Sequence, residues 1–336
     1  MNSSQVSLYI LIFCAHFAAM LAPADIQGPH KFPLDLTGQV RYHTGEGITG
    51  GYGHVQKGTW TNSKGSDSIV AVKIVLIKNS VTGKIDGVDT RKYSKRGRRE
   101  QKVWERPAHA NVIPLLGITT DYASPFAGPS SIAMISPWME RGNLSQALEA
   151  DLSDSDRLCL LCDVAKGLQH LHSLSIIHGD IYPANVLIND NGNACLTDFG
   201  RSVICPEFLD TSYWSSTVGG AMRWRAPELV APWFLEDIET YVPNLTRKCD
   251  IYSFGSLVLH VMSGELPYHS SRDYQVIIYL HRRTFPPRPR ASRLTDIHWD
   301  IITRCWGECD NPSSRPTAQE VVAAVSSSNH RSLSML

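Results

Sequence analysis

The strongest chemical pattern in this sequence consists of HGDIYPANVLI at residues 178–188 and TDFG at residues 197–200. These segments contain two groups suited to a magnesium ion, Asn185 and Asp198, and a separate carboxylate, Asp180, that can accept a hydroxyl proton. Phosphoryl transfer needs this division of labour, because hard oxygen ligands hold the metal while a base is positioned on the nucleophile. The pattern therefore predicts phosphoryl-transfer chemistry.

A glycine-rich segment lies well upstream of this pattern. Residues 48–55 read ITGGYGHV, in which Gly50, Gly53 and Val55 fit the form G-x-G-x-x-G-x-V and Ile48 replaces the first glycine. Such a loop lets backbone N–H groups approach nucleotide phosphates, because no Cβ atom intervenes. Taken alone, the segment is equally compatible with a plain hairpin turn.

The order of the next two signals favours the nucleotide interpretation. The strand-like run VAVK at residues 70–73 ends on Lys73, which can reach phosphates, and its Ala71 is small enough to admit an adenine ring. The basic stretch 91–106 has helical character, and its Glu100 offers a carboxylate to Lys73. A lone lysine on a strand is usually just solvated, whereas loop, lysine and glutamate in this order predict a phosphate-binding arrangement.

Further charged residues follow in the second half of the chain. Glu228 ends the tripeptide APE at 226–228, Asp250 stands at the head of an apolar helical segment, and Arg315 lies in NPSSRP. Glu228 and Arg315 are candidates for a buried ion pair that braces this half of the molecule.

With these residues in order, the sequence resembles a protein kinase over roughly residues 35–325. The details resemble the tyrosine-kinase-like group, in particular its large fungal set. The segments that carry this resemblance are LDLTG at 34–38, GGYG at 50–53, VWER at 103–106, HGD at 178–180 and RWRAPE at 223–228. The resemblance implies an α+β, two-lobed protein-kinase-like fold. In it, a small antiparallel β lobe with one helix precedes a larger, mostly helical lobe, and a cleft lies between them.

The resemblance also implies a role for each matching residue, with ATP and Mg²⁺ (or Mn²⁺) as cofactors and proteins as substrates. Lys73, held by Glu100, would orient the α- and β-phosphates, Asp180 would be the catalytic base, and Asn185 and Asp198 would bind the metal. Ser136 would be the gatekeeper and residues 137–139 the hinge. The ATP-binding set is Ile48, Gly50, Gly51, Gly53, Val55, Ala71, Lys73, Ser136, Pro137, Trp138, Met139 and Leu187. The structural set is His178, Phe199, Glu228, Asp250 and Arg315.

The catalytic segment departs from the kinase pattern at Gly179. Many kinases have an arginine there, which pairs with a phosphate on the activation segment. Its absence leads to the hypothesis that activity does not depend on such a phosphate, although residues 215–217 (SST) are candidate acceptors. Replacing all three by alanine tests this, since a collapse in the phosphotransfer rate would contradict it.

Two further departures bear on the rate. Tyr182 stands where Ser/Thr kinases usually place a lysine that neutralises the γ-phosphate, and Ala221 stands where a Thr or Ser usually bridges that lysine and the base. Loss of one such group typically costs about 10²–10³ in rate. Two interpretations stay open: a Ser/Thr protein kinase, or a weakly active or inactive pseudokinase that serves as a nucleotide-binding scaffold.

The expected organisation has three parts. Residues 1–30 form a hydrophobic N-terminal segment, residues 35–326 the kinase domain (35–137 and 138–326 as its lobes), and residues 327–336 a flexible tail. The apolar run at 6–22 is either a signal or anchor, or a docking helix or mis-assigned start. We expect a cytoplasmic protein, with membrane association only through this run.

Regular elements are expected at particular places in both lobes. We expect strands within 34–76, at 112–118 and at 131–136. Helices are expected at 91–106, after a cap at Ser153, and at 250–263, 297–305 and 317–325, with a loose Ser-rich stretch after Val325.

The amino-acid composition limits which kinds of molecule and metal the protein can be expected to bind. Lys plus Arg and Asp plus Glu each total 32, so the formal charge is zero, which argues against wholesale binding to nucleic acid. Eight cysteines are too few for a disulfide scaffold. A zinc site from Cys159, Cys162, Cys305 and Cys309 is the less favoured alternative to reduced thiols.

Overall fold

The structure, a computed structural model, describes residues 33–45, 47–49, 53–75, 90–122, 132–150, 152–204, 220–231, 243–308 and 310–333. The expectations for residues 1–30, Gly50, Gly51, residues 215–217 and Cys309 concern positions outside these ranges. The chain divides into two compact units between Trp138 and Met139, one residue later than expected. The first unit is rich in strands and the second in helices, which confirms the α+β class.

The first unit contains a seven-stranded sheet. Its strands are Leu34–Asp35 (β1), Val40–Tyr42 (β2), Ile48–Thr49 (β3), Gly53–Thr61 (β4), Asp67–Val75 (β5), Gly117–Thr119 (β6) and Ala133–Pro137 (β7). The strand order is β1-β6-β7-β5-β4-β2, with β3 paired to β4. All pairs are antiparallel except β1 with β6, which run parallel, a departure from the expected antiparallel lobe.

Strand β5 shows why this sheet can carry a site. Val70, Val72 and Ile74 are fully buried in the core on one face, and the alternation of a strand puts Ala71 and Lys73 on the other face. The β-branched residues therefore anchor the strand, while the residues between them face away from that core.

The segment 112–118 forms less strand than expected. Only Gly117–Thr119 is a strand, and pairing begins where the Leu116 N–H donates to the Ile135 carbonyl at 2.8 Å. Pro114 has no N–H to donate to a ladder, so the strand begins after it. Helix α1, Thr90–Trp104, precedes this segment, and the Trp104 indole N–H donates to the Ile113 carbonyl at 2.6 Å.

Helices dominate the second unit. They are Leu144–Leu148 (α2), Asp154–Ser173 (α3), Arg247–Ser263 (α4), Asp273–His281 (α5), Asp296–Trp306 (α6) and Ala318–Leu333 (α7). Four short strands form two pairs, Val186–Ile188 (β9) with Ala194–Leu196 (β10), and Ile176–Ile177 (β8) with Val203–Ile204 (β11).

The central helices begin and end where local chemistry dictates. The Ser153 hydroxyl caps α3 by accepting the Asp156 N–H at 3.1 Å, as expected. Helix α4 is buried nearly all round and ends at Gly264, whose φ of 77° is left-handed. It begins at Arg247 rather than at Asp250, so Asp250 lies in its first turn.

The expectation of a loose stretch after Val325 is corrected by the structure, which has a helix there. Helix α7 continues to Leu333, because serines that look solvent-compatible in sequence have partners in the fold. Ser326 Oγ lies 3.4 Å from Cys162 Sγ on α3, and Ser328 is buried. Tertiary contact thus overrides the polar composition of this segment.

Two further expectations concern the membrane and the cysteines. No helix within the described ranges is long and apolar enough to cross a bilayer; the run at 6–22 lies outside them. Cys159, Cys162 and Cys305 carry free thiols, and burial raises the pKa of the Cys305 thiol to about 12.

Candidate active site

An ion pair in the first unit joins Lys73 on β5 to Glu100 on α1. Lys73 Nζ lies 2.6 Å from Glu100 Oε1, and the two side chains are 11% and 3% exposed. An ammonium group buried to this extent requires a carboxylate partner. Gly53 makes room for the lysine, since a Cβ atom there would lie 3.1 Å from Lys73 Cε and 3.0 Å from the Ile74 carbonyl oxygen.

Strand register brings further candidates together around Lys73. Val55 on β4 is its cross-strand partner, and Ala71 is paired with Ser136 on β7. Directly opposed residues share a face of the sheet. Val55, Ala71, Lys73 and Ser136, four members of the expected ATP-binding set, therefore lie on one face of the sheet.

The remaining first-unit candidates are more peripheral. Ile48, on β3, pairs with Val55 on β4 but is 64% exposed, and Gly50 and Gly51 lie outside the described residues. Pro137 ends β7, opposite Val70. The Trp138 N–H donates to the Ile69 carbonyl at 3.2 Å.

In the second unit, Asp180 is held through both carboxylate oxygens. Asn185 Nδ2 donates to Asp180 Oδ2 at 3.1 Å and to the Asp180 carbonyl at 2.9 Å. Arg201 Nη1 donates to Asp180 Oδ1 at 3.0 Å. Sequence reasoning missed Arg201, since the only signal was a basic residue directly after Gly200, and such a residue is usually solvated.

His178 ties the two motifs of the second unit together. It is fully buried, its Nδ1 accepts the Asp180 N–H at 3.3 Å, and its Nε2 is therefore the nitrogen that donates to the Thr197 carbonyl at 2.9 Å. Its ring centroid lies 5.5 Å from that of Phe199. These contacts fix the Asp180 backbone relative to the segment that carries Asp198.

Asp250 stabilises the same loop from the opposite side. This buried carboxylate accepts the His178 N–H at 2.9 Å and the Gly179 N–H at 2.8 Å. His172 Nε2 lies 2.8 Å from its Oδ2. Asp250 therefore holds the backbone of the catalytic segment rather than any substrate.

Glu228 and Arg315 form a bidentate ion pair in the second unit. Arg315 Nη2 donates to Glu228 Oε2 at 3.0 Å, and Arg315 also donates to the carbonyls of Trp306 and Lys248. Its guanidinium lies 5.1 Å from the centroid of the Tyr252 ring. Burial raises the pKa of Glu228, but the hydrogen bonds and charge of Arg315 outweigh this and hold that pKa below its ordinary value.

The donor set of the second unit suits a hard cation. Asn185 uses its Nδ2 on Asp180, which leaves its amide oxygen as the ligating atom, and Asp198 supplies a carboxylate with one oxygen accepting the Gly200 N–H at 3.2 Å. Oxygen donors of these two kinds fit Mg²⁺ or Mn²⁺. Leu187, from the nucleotide set, lies on β9 opposite Cys195.

The residues at the two positions that depart from the kinase pattern, Tyr182 and Ala221, have uncharged side chains. The Tyr182 ring packs 5.8 Å, centroid to centroid, from Trp224, and Trp224 lies 5.5 Å from His260. Ala221 lies in the 3-10 turn Gly220–Trp224. At position 182, where the resemblance leads us to expect a lysine, the side chain is thus an aromatic ring in tilted contact with Trp224.

Comparison with known proteins identifies the family to which the chain is similar. The family profile for protein tyrosine and serine/threonine kinases matches residues 44–325. The chain is 28% identical to the serine/threonine/tyrosine-protein kinase HT1 of Arabidopsis thaliana over 262 residues, 74% of this chain and 60% of HT1. It is 28% identical to the probable serine/threonine-protein kinase drkD of Dictyostelium discoideum over 278 residues, 81% of this chain and 18% of drkD.

A vertebrate relative gives the same result. The serine/threonine-protein kinase TNNI3K of Rattus norvegicus is 28% identical over 307 residues, 88% of this chain and 32% of that protein. The matches thus span less than two thirds of the length of these three relatives. The family match, by contrast, covers most of this chain, and the chain therefore belongs to the protein tyrosine and serine/threonine kinase family.

Proposed function

We propose that this chain transfers the γ-phosphate of ATP to serine or threonine hydroxyl groups of protein substrates. The observation that carries the proposal is the orientation of Asp180, whose carboxylate is fixed by Asn185 and Arg201. A carboxylate fixed in this way, on a loop held by His178 and Asp250, is prepared to receive a proton.

The chemistry assigns one task to each group. As a substrate hydroxyl oxygen bonds to the γ-phosphorus, the bond from that phosphorus to the leaving oxygen of ADP breaks, and Asp180 accepts the hydroxyl proton. Lys73, fixed by Glu100, orients the α- and β-phosphates. Asn185 and Asp198 would hold Mg²⁺ or Mn²⁺, which supplies positive charge against the phosphate oxygens.

The backbone N–H groups of the proposed hinge narrow the choice of donor to adenine. Pro137 has no N–H, and the Trp138 N–H is already used by the Ile69 carbonyl. Of the three proposed hinge residues, Met139 is thus the candidate donor to adenine. Ala71 and Ser136, paired across β5 and β7, are small residues that admit the ring.

The preference for serine and threonine rests on the resemblance to the tyrosine-kinase-like group. The RWRAPE segment at 223–228 is one of the segments that carry this resemblance. We also propose membership in that group and its fungal set on the same segments. The names of the relatives agree on serine and threonine, and one adds tyrosine. Phosphoamino acid analysis of a labelled protein substrate decides between these acceptors.

A second function is supported by specific residues. Tyr182 and Ala221 replace groups that would carry or bridge a cation, and Tyr182 is packed toward Trp224. These features favour a nucleotide-binding pseudokinase that works as a scaffold. The choice between the two functions depends on turnover.

The deciding experiment measures transfer of radiolabelled phosphate from ATP to a generic protein substrate, with Mg²⁺ and again with Mn²⁺. The wild type is compared with Asp180→Ala and Lys73→Met, and Asp300→Asn serves as a matched control because Asp300 is exposed on α6. We expect the wild type and the control to label substrate at equal rates, well above the two site variants. Labelling equal to both site variants, with ATP binding retained, would instead establish the pseudokinase.

A further inference from the structure

Arg201 makes a buried contact with the proposed base. Its guanidinium Nη1 lies 3.0 Å from Asp180 Oδ1, and the two side chains are 10% and 8% exposed. At this burial, water screens the pair only weakly, so the guanidinium is a strong local source of positive charge at the carboxylate. Arginine stays charged at any relevant pH.

The backbone of Arg201 is fixed beside the catalytic loop. Ser202 Oγ donates to the His178 carbonyl at 2.9 Å, and the next residue, Val203, pairs with Ile177 in the β8–β11 ladder. Both contacts come from residues that directly follow Arg201. These contacts, made to the two residues before Gly179, hold the segment after Arg201 against the strand that leads into the Asp180 loop.

Gly179 permits this approach. Its φ is 77°, and a Cβ atom at this position would stand 3.2 Å from the Arg201 carbonyl oxygen and 2.7 Å from Leu245 Cδ2. A side chain at residue 179 would press against the segment that carries Arg201. The absence of one lets the two segments lie side by side.

The catalytic loop itself has no cation to offer. Residues 178–185 read HGDIYPAN, without lysine or arginine, and Tyr182 at the position of the usual lysine packs against Trp224. Within the described residues, the cation found in contact with the proposed base is Arg201, which belongs to the following segment.

We propose that Arg201 is a positioning residue that holds Asp180 and replaces the cation that Tyr182 removes from the catalytic loop. This inference rests on the proposed phosphotransfer by Asp180. In this proposal, Arg201 supplies the positive charge that a lysine at position 182 would supply in other kinases. Gly179, which has no side chain, leaves room for the segment that carries Arg201.

The test is a charge-relocation experiment with four variants: Arg201→Gln, Arg201→Lys, the double variant Arg201→Gln with Tyr182→Lys, and Arg304→Gln as control. Arg304 is an exposed arginine on α6. We expect Arg201→Gln to lower kcat about 10²–10³-fold, as loss of one charge-stabilising group typically does. Arg201→Lys should keep a substantial part of the rate, and Arg304→Gln should match the wild type.

The double variant shows whether the rate loss in Arg201→Gln comes from the lost positive charge or from a disturbed structure. If the lysine introduced at position 182 supplies the charge that Arg201 supplied, the double variant recovers at least about tenfold in kcat over Arg201→Gln. The dissociation constant for ATP, measured by direct binding, should change little in all four. A kcat that is unchanged or raised in Arg201→Gln, or a double variant that is no faster than Arg201→Gln, would overturn the proposal.

A turnover-independent measurement distinguishes this inference from the proposed function. Urea unfolding midpoints of Asp180→Ala, Arg201→Gln and the corresponding double variant form a cycle, because Asp180→Ala removes the contact with Arg201, and contacting residues give non-additive changes. A wild type that labels no more substrate than Asp180→Ala defeats the proposed function. Additive midpoints defeat the Arg201–Asp180 contact, and with it this inference, whatever the turnover.

Discussion

Two carboxylates, Asp250 and Asp180, are hydrogen-bonded in the region of residues 178–180 and are held in different ways. Asp250 accepts the backbone N–H groups of both residues, whereas Asp180 is held by the side chains of Asn185 and Arg201. Backbone donors cannot leave without a change of fold, while side-chain donors can shift. The first arrangement anchors a loop, and the second leaves a carboxylate able to take a further partner.

The largest effect should come from the carboxylate with side-chain partners. Asp180→Asn should lower the phosphotransfer rate about 10²–10⁴-fold, because an amide cannot accept the hydroxyl proton. The free energy of unfolding should fall by only about 1–2 kcal/mol, since the amide oxygen can still accept from Arg201 and the amide nitrogen faces a single donor, Asn185 Nδ2. Initial rates and urea unfolding of the same preparation check both parts. A large loss of stability would erase the contrast with Asp250.

The carboxylate with backbone partners should show the reverse pattern. Asp250→Asn should lower the free energy of unfolding by about 2–4 kcal/mol, because the amide nitrogen meets donors and leaves at least one of them unsatisfied. Urea unfolding measures this, with Asp300→Asn as the exposed control. A stability equal to that of the control would show that the backbone contacts do not anchor the loop.

Gly179, which directly precedes Asp180 and donates its N–H to Asp250, allows a finer test. Gly179→Ala should cost about 2 kcal/mol, from the left-handed backbone and from contact with Leu245 and Arg201. Gly264→Ala is a matched control, because Gly264 has the same φ of 77° but nothing within 4 Å of the added Cβ. The difference between the two unfolding free energies isolates the contact. Equal costs would mean that residue 179 has more room than its neighbours indicate.

A third carboxylate, Glu228, should give an effect that depends on pH. Its pKa lies below 4.5 in the folded chain, so its stabilising contribution is present above that value and is lost as the pH falls through the folded pKa. The stability difference between wild type and Glu228→Gln should therefore be constant near neutrality and narrow below about pH 4.5. Urea unfolding at stepped pH measures it. A constant difference across this range would contradict a titrating pair with Arg315.

The sequence predicted the elements that depend on local order. Lys73 and Glu100 were paired from their succession alone, and the structure places them 2.6 Å apart. Helix α3 and its Ser153 cap were predicted because periodicity and capping are local properties. Such features require only neighbours within a few residues, or a fixed order of motifs.

The features missed by sequence reasoning depend on tertiary contact. Arg201 looks like any basic residue after a motif, and only its burial against Asp180 gives it a role. The serines after Val325 look like a loose segment, but Ser326 and Ser328 lie in a helix with partners in the fold. No local pattern encodes which surface such residues will meet.

The close packing at Gly179 also has a consequence for the history of the sequence. With an Arg201 carbonyl and Leu245 where a Cβ would project, a larger residue can enter position 179 only if those neighbours move first. Among descendants of this chain, a larger residue at position 179 should therefore be tolerated mainly where residue 245 has a smaller side chain. The close packing around Gly179 thus restricts which residues can replace it.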